Sequence, residues 1–180
     1  LTVLAVSRHS DSNEINRQIM GIDIGSELIF NSIQNLNLDL RTRLICVLQK
    51  QGVCDAKTIK DYLDYAAANK VNEVCFKELY VASTTESLYS ISKENKYCQS
   101  AQIPLKIVVD YCVDHHSKIA ELPWGSPVYG GLHNEHPVKI AAYTEPSVGW
   151  ERKNGIARSW NLMADGKCYA SLEDLNSEIK

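Results

Sequence analysis

The sequence predicts an α/β fold: a partial (β/α) barrel of parallel strands over residues 1–122, followed by a small β-rich extension with a hairpin over residues 123–180. Three observations carry this. β-forming runs at 1–6, 40–49 and 73–81 alternate with stretches of helical periodicity. No hairpin signal joins one run to the next, so the strands are expected to run parallel with the helices as crossovers. From Pro123 onward, glycine, proline and aromatic residues become frequent, as in short strands joined by turns.

The elements follow in order. Leu1–Val6 is apolar and ends in the polar group Ser7, Arg8 and His9. Asp11 and Glu14 stand at capping-box spacing ahead of Ile15 and Ile19, one helical turn apart. Leu28, Ile29, Ile33 and Leu36 keep to one face of a second predicted helix. "LRTRLICVLQ" is the second strand, and Asp55 caps a helix whose apolar stripe is Ile59, Leu63, Ala66 and Ala67. "EVCFKELYV" is the third strand. The weak polar alternation of these runs predicts burial on both faces. "STTESLYSISKENKYCQSAQ" reads as irregular, and Pro104 opens a helix striped by Leu105, Val108, Val109 and Cys112. In "ARSWNLMADGKCYASLED", Asp165 and Gly166 are read as a two-residue hairpin turn.

Composition narrows the function classes. The chain has 180 residues, 44% hydrophobic and 23% charged, with a formal charge of −3 and no basic cluster. That balance gives no electrostatic reason to expect nucleic acid or an acidic membrane as partner. No apolar run is long enough to span a bilayer, and the first residues lack the pattern of a secretion signal, so a cytoplasmic location is expected. The six cysteines stand singly, without the close pairs of zinc or redox motifs, and are expected to be reduced and mostly buried. Leu1 begins directly in a strand-like run, which suggests part of a longer chain.

Polar residues at the predicted strand ends are the candidates for chemistry: Ser7 and His9, Arg41 and Arg43, Glu78 and Tyr80. Parallel strands gather ligands at their C-terminal edge, which favours Ser7, His9, Glu78 and Tyr80. An Arg–Glu pair that only fixes packing and one that meets a ligand fit this spacing equally. His115 and His116 are adjacent and would face different ways on a helix, and His133 and His136 lack acidic or sulfur partners at zinc spacing, so all four read as solvated. Trp124, Tyr129, Tyr143, Trp150 and Trp160 cluster late, as packing of the extension would require. No phosphate loop, nucleophile elbow or paired-carboxylate motif is present.

Taken in order, "LTVLAVSRH", "LRTRLICVLQKQGVCDAKTIKDYLDYAAANKV", "EVCFKELYV" and "RSWNLMADGKCYASL" resemble the later strands and C-terminal extension of a radical S-adenosylmethionine protein. The pattern is similar to the branch of the molybdenum-cofactor GTP cyclases, whose corresponding strands read Ser-Leu-Asp, Lys-Ile-Asn and Arg-Phe-Ile-Glu-x-Met, with Asp-Gly-Lys in a late hairpin. The resemblance implies that Ser7 and Tyr80 contact S-adenosylmethionine, and that His9, Arg41, Arg43 and Glu78 meet a small polar or anionic substrate. Glu78 would point inward beside an arginine, and Lys77 outward toward the helices.

The family's four-iron four-sulfur cluster sits on a CxxxCxxC loop, and this chain has no such motif. By the resemblance that loop belongs to an N-terminal part of the same protein, and the chain alone binds no metal or cofactor and is inactive. Ser171 stands where the cyclase branch has a cysteine, so a second cluster is not expected. The alternative is a non-catalytic α/β binding or scaffold domain. A hydrolase using His9 and Glu78 lacks a nucleophile motif and ranks last.

Overall fold

A computed structural model describes residues 2–22, 25–35, 40–81, 91–144, 153–155, 160–170 and 177–179. The chain divides into two compact units, Leu1–Leu79 with Ala101–Thr144, and Tyr80–Ser100 with Glu145–Lys180. Along the chain the elements are β1 (Val3–Ser7), α1 (Asn13–Met20), α2 (Ser26–Asn35), β2 (Arg41–Leu48), α3 (Ala56–Ala68), β3 (Glu73–Glu78) and α4 (Lys93–Ala101). They continue with α5 (Lys106–His115), β4 (Ser117–Glu121), β5 (Pro127–His133), β6 (His136–Ala142), β7 (Asn161–Leu162), β8 (Cys168–Tyr169) and β9 (Glu178–Ile179).

The first unit is built on a six-stranded sheet in the order β1-β2-β3-β6-β5-β4. The β1–β2, β2–β3 and β3–β6 pairs are parallel, as expected of strands joined by crossover helices. The β6–β5 and β5–β4 pairs are antiparallel. β5 and β6 were expected in a separate extension beginning at residue 123, but they pair into this sheet. A tight turn at Asn134 and Glu135, both with positive φ, joins them and returns the chain alongside β3.

Local sequence explains the helices. α1 is capped by Ser12, whose hydroxyl accepts from Ile15 N, rather than by Asp11 one residue earlier. α2 turns Phe30 inward, and Leu28, expected on its buried face, is 67% exposed. Leu36 lies outside the described residues. α3 carries a full capping box between Asp55 and Thr58 and buries Ile59, Tyr62, Leu63, Ala66 and Ala67.

α2 and α3 lie on one face of the first unit's sheet. The Phe30 ring of α2 meets Tyr65 of α3 edge-on at 6.0 Å, and Tyr62 of α3 meets Phe76 of β3 at 5.7 Å. Beneath them Thr42, Leu44, Cys46 and Leu48 of β2 are buried, while Arg41, Arg43, Ile45 and Val47 between them are more exposed. The expected burial on both faces holds for Glu73–Phe76 of β3, buried at every position, but only in part for β2, whose face away from the helices is the more open one.

In the second unit, β7, β8 and β9 form an antiparallel sheet. The β7–β8 turn is one residue longer than expected. Met163 N bonds Lys167 O at 2.9 Å, so Ala164, Asp165 and Gly166 span it, with Gly166 at φ 79°. α4 forms within a stretch read as irregular, because only its polar face is prominent in the sequence.

Candidate functional site

Residues opposite each other in a ladder point to the same side of the sheet. The registers therefore define the open face. Ala5 lies beside Arg43, and Ser7 beside Ile45. Arg43 lies beside Glu73, Ile45 beside Cys75 and Val47 beside Lys77. Glu73 lies beside Lys139 and Cys75 beside Ala141. Over β1, β2, β3 and β6 the charged residues of this face are Arg41, Arg43, Lys77 and Lys139 against Glu73. Four cations against one carboxylate make it locally positive in a chain of net charge −3.

Glu73 is the focus of this charge. Arg43 donates Nε at 2.7 Å and Nη2 at 2.5 Å to Glu73 Oε2, and Arg41 Nη1 reaches Oε1 at 3.3 Å. The Glu73 side chain is 11% exposed and that of Arg41 55%, so Arg43 is the tighter and drier partner. Lys77 stands further along β3, its ammonium 5.1 Å from the centre of the Tyr143 ring. The thiol of Cys75 lies between these charges, 5% exposed, and burial pushes its pKa up.

These positions revise the expected pairing. The carboxylate that meets the arginines is Glu73, not Glu78. Glu78 lies beside Leu48, which is fully buried on the helix side, and strand alternation gives the open face to Lys77. Glu73 has no local signal for this role in the sequence, because it opens the strand, where a charge reads as solvated.

Ser7 ends β1 on the open face and is exposed. His9 turns back onto the sheet: its Nδ1 accepts from Val47 N at 3.0 Å, and its own N–H donates to Asn16 Oδ1 at 2.8 Å. Accepting at Nδ1 places the hydrogen of the neutral ring on Nε2, and burial lowers the pKa, which favours that neutral form. Gly52 passes so close that a Cβ there would sit 2.5 Å from the His9 carbonyl oxygen. Tyr80 belongs to the second unit and is 59% exposed.

Arg8, between Ser7 and His9, is 1% exposed. It donates to Asp11 O at 2.9 Å and Asn13 Oδ1 at 2.7 Å, lies over the Tyr65 ring, and through its carbonyl accepts the Tyr62 hydroxyl at 2.7 Å. Its role is to anchor the end of β1 to α1 and α3.

At the opposite end of the parallel strands, a groove of about 340 Å³ is lined by Arg41, Glu73, Ile119, Gly130, Pro137 and Lys139 among others. Of the histidines read as solvated, His115 is exposed as expected, while His133 is buried and His116 and His136 are half-buried. His133 is 7% exposed, with Nδ1 3.1 Å from Asp64 Oδ1 and Nε2 3.2 Å from His116 Nε2. His136 Nε2 lies 3.1 Å from Val71 O and His115 Nδ1 2.9 Å from Tyr111 O. Asp64, the acidic partner of His133, sits far away in sequence on α3. Of the late aromatics, Trp124 meets Tyr143 edge-on at 5.7 Å, Trp160 is 74% exposed, and Trp150 lies outside the described residues, as does Ser171.

Among the described residues there is no group of three or more histidine, cysteine, aspartate or glutamate side chains able to hold a metal ion, and no helix long and apolar enough to cross a membrane. No protein-family model matches the chain, and no curated protein or solved structure does so either.

Proposed function

We propose that this chain is the later part of a radical S-adenosylmethionine enzyme domain, with the open face of its parallel strands forming a wall of the cofactor and substrate pocket. The observation that carries the reading is the arrangement of β1, β2 and β3. They are neighbours in chain order, parallel, with α2 and α3 in contact on one side. A doubly wound sheet reverses its order at a switch point. An unreversed progression with helices on one side is how a (β/α) barrel is built, and on that reading the open face is the inner one.

The resemblance assigns Ser7 and Tyr80 to S-adenosylmethionine. The exposed Ser7 hydroxyl at the C-terminal end of β1 suits a polar contact with that ligand. When bound to a reduced cluster, S-adenosylmethionine supplies a radical able to take a hydrogen atom from substrate. The cluster itself does not fit the described residues, which offer no three-ligand group; on this reading it belongs to an N-terminal segment of the same protein. Arg41, Arg43, Lys77 and Lys139 favour an anionic substrate, because guanidinium and ammonium groups on a partly dry face attract carboxylate or phosphate. Glu73 holds Arg43 in place. His9 presents Nε2–H, and Glu78 stands at the strand end.

One observation favours the second reading, a non-catalytic binding or scaffold domain. Arg43 and His9 are already satisfied within the protein, by Glu73 and by Val47 N. Anaerobic iron–sulfur reconstitution of the full-length gene product, followed by reduction with S-adenosylmethionine, separates the two. The enzyme reading expects a cluster and 5′-deoxyadenosine. Neither forming gives the site to the second reading.

A further inference from the structure

Asp64 of α3, His133 at the end of β5 and His116, the residue that ends α5 and leads into β4, form a chain of contacts on the helix face of the first unit. Its proton positions follow from which groups can donate. Asp64 is a carboxylate that also takes Lys60 Nζ on Oδ2 at 2.6 Å, so His133 Nδ1 carries a hydrogen and donates to Oδ1. In a neutral ring His133 Nε2 is then an acceptor. The hydrogen in the 3.2 Å Nε2–Nε2 contact belongs to His116, and His116 Nδ1 is bare.

That bare nitrogen is buried and has no hydrogen-bond partner among the described residues. It rests on Gly131 so closely that a Cβ there would overlap the ring. It is also the one vacant proton position of the pair. A proton that arrives on His133 Nε2 confronts the N–H of His116, unless His116 moves its own hydrogen to Nδ1. A proton that arrives on His116 goes to Nδ1 directly. Either way an N–H forms against the Gly131 backbone with no acceptor, at a cost that moving the ring would relieve.

We propose that the Asp64–His133–His116 chain is an acid-sensitive latch, which holds β4 and β5 against α3 while both imidazoles are neutral and frees β4 when a proton reaches His116 Nδ1. The charged surroundings agree. Asp64 of α3 engages Lys60 through Oδ2 and His133 through Oδ1, and its contact with His116 runs only through His133. On α5, the Tyr111 ring stacks on His115 at 4.4 Å and tilts toward His116 at 5.8 Å. On β4, Lys118 is paired with Glu121, and on β6 His136 is committed to Val71 O. Burial and the neighbouring His133 and His115 lower the His116 pKa. A lowered folded value means that the stabilisation is present above the unfolded value of 6.5 and is lost as pH falls through the folded one.

The test is hydrogen exchange of the full chain at pH 7.5 and pH 5, corrected for intrinsic rates and followed peptide by peptide. Protection over Ser117–His133 is expected to fall about tenfold more than protection over β1 to β3, as a local opening requires. His116→Gln keeps a donor near Nε2 but takes up no proton, and is expected to reduce that difference to under about twofold. Gly131→Ala displaces the ring and is expected to expose the same peptides already at pH 7.5. A uniform acid response across the sheet, or one that His116→Gln leaves intact, overturns the latch. Should His116→Gln not fold, nitrogen-15 spectra of the native imidazoles decide: hydrogens on His133 Nδ1 and His116 Nε2 are expected, and the opposite tautomers overturn it.

Discussion

Arg43 and Glu73 face each other across β2 and β3, the guanidinium placing Nε at 2.7 Å and Nη2 at 2.5 Å from one carboxylate oxygen. Arg41 takes the other oxygen at 3.3 Å. Glu73→Ala leaves two guanidinium groups without their counter-charge on a partly dry face, and is expected to destabilise the fold by about 1–3 kcal/mol. Arg41→Ala removes a mostly exposed partner and is expected to cost under about 1 kcal/mol. Urea unfolding measures both, and a double-mutant cycle should give the larger coupling to Arg43.

The His9 imidazole works as a neutral acceptor for Val47 N. Its pKa is lowered by burial, so the contribution is present above 6.5 and is lost as pH falls through the folded value. His9→Ala is expected to cost about 1 kcal/mol at pH 7.5, and His9→Asn, whose carbonyl reaches the Nδ1 position, to recover part of it. Urea midpoints at pH 7.5 and pH 5 should differ less in His9→Asn than in the native chain.

Gly52 has a tight neighbour in the His9 carbonyl and a second in Ile19 Cδ1, 3.2 Å from the position a Cβ would take. The carbonyl belongs to backbone and cannot swing aside. Gly52→Ala is therefore expected to lower stability by about 1–3 kcal/mol, read as a fall in thermal midpoint.

The Tyr62 hydroxyl is fully buried and donates to the Arg8 carbonyl. Tyr62→Phe keeps the ring packed against Phe76 but leaves that carbonyl without its donor. A loss of about 1–2 kcal/mol is expected, again by urea unfolding.

Strand alternation divides Lys77 from Glu78. If the protein is the enzyme proposed above, Lys77→Met in the full-length chain is expected to raise KM for an anionic substrate about tenfold, with Glu78→Gln changing it less than about threefold. The reverse order would return the inward position to Glu78.

The parallel strands and the helices between them were legible because each carries its own local signal: β-forming runs, capping residues and apolar stripes. Asp55 and Thr58 cap α3 from adjacent positions, so the boundary is readable in a few residues. What escaped the sequence depends on separated segments meeting. Glu73 gained its role from Arg43, thirty residues earlier. His133 gained its role from Asp64, sixty-nine residues earlier. The pairing of β6 with β3 likewise has no local mark, and the strand read as extension became sheet. Lys77 and Glu78 take the faces opposite to those expected because a one-residue shift of parity in a strand exchanges the two faces.

On the proposed reading, the open face of β1, β2 and β3 is the face that meets ligand. A crystal structure of the full-length protein with S-adenosylmethionine tests it most directly. The ligand is expected against the side that carries Ser7, Ile45 and Lys77, with Arg43 still bound to Glu73. Density for the ligand on the side covered by α3, or that open side filled by packed helices, would contradict it.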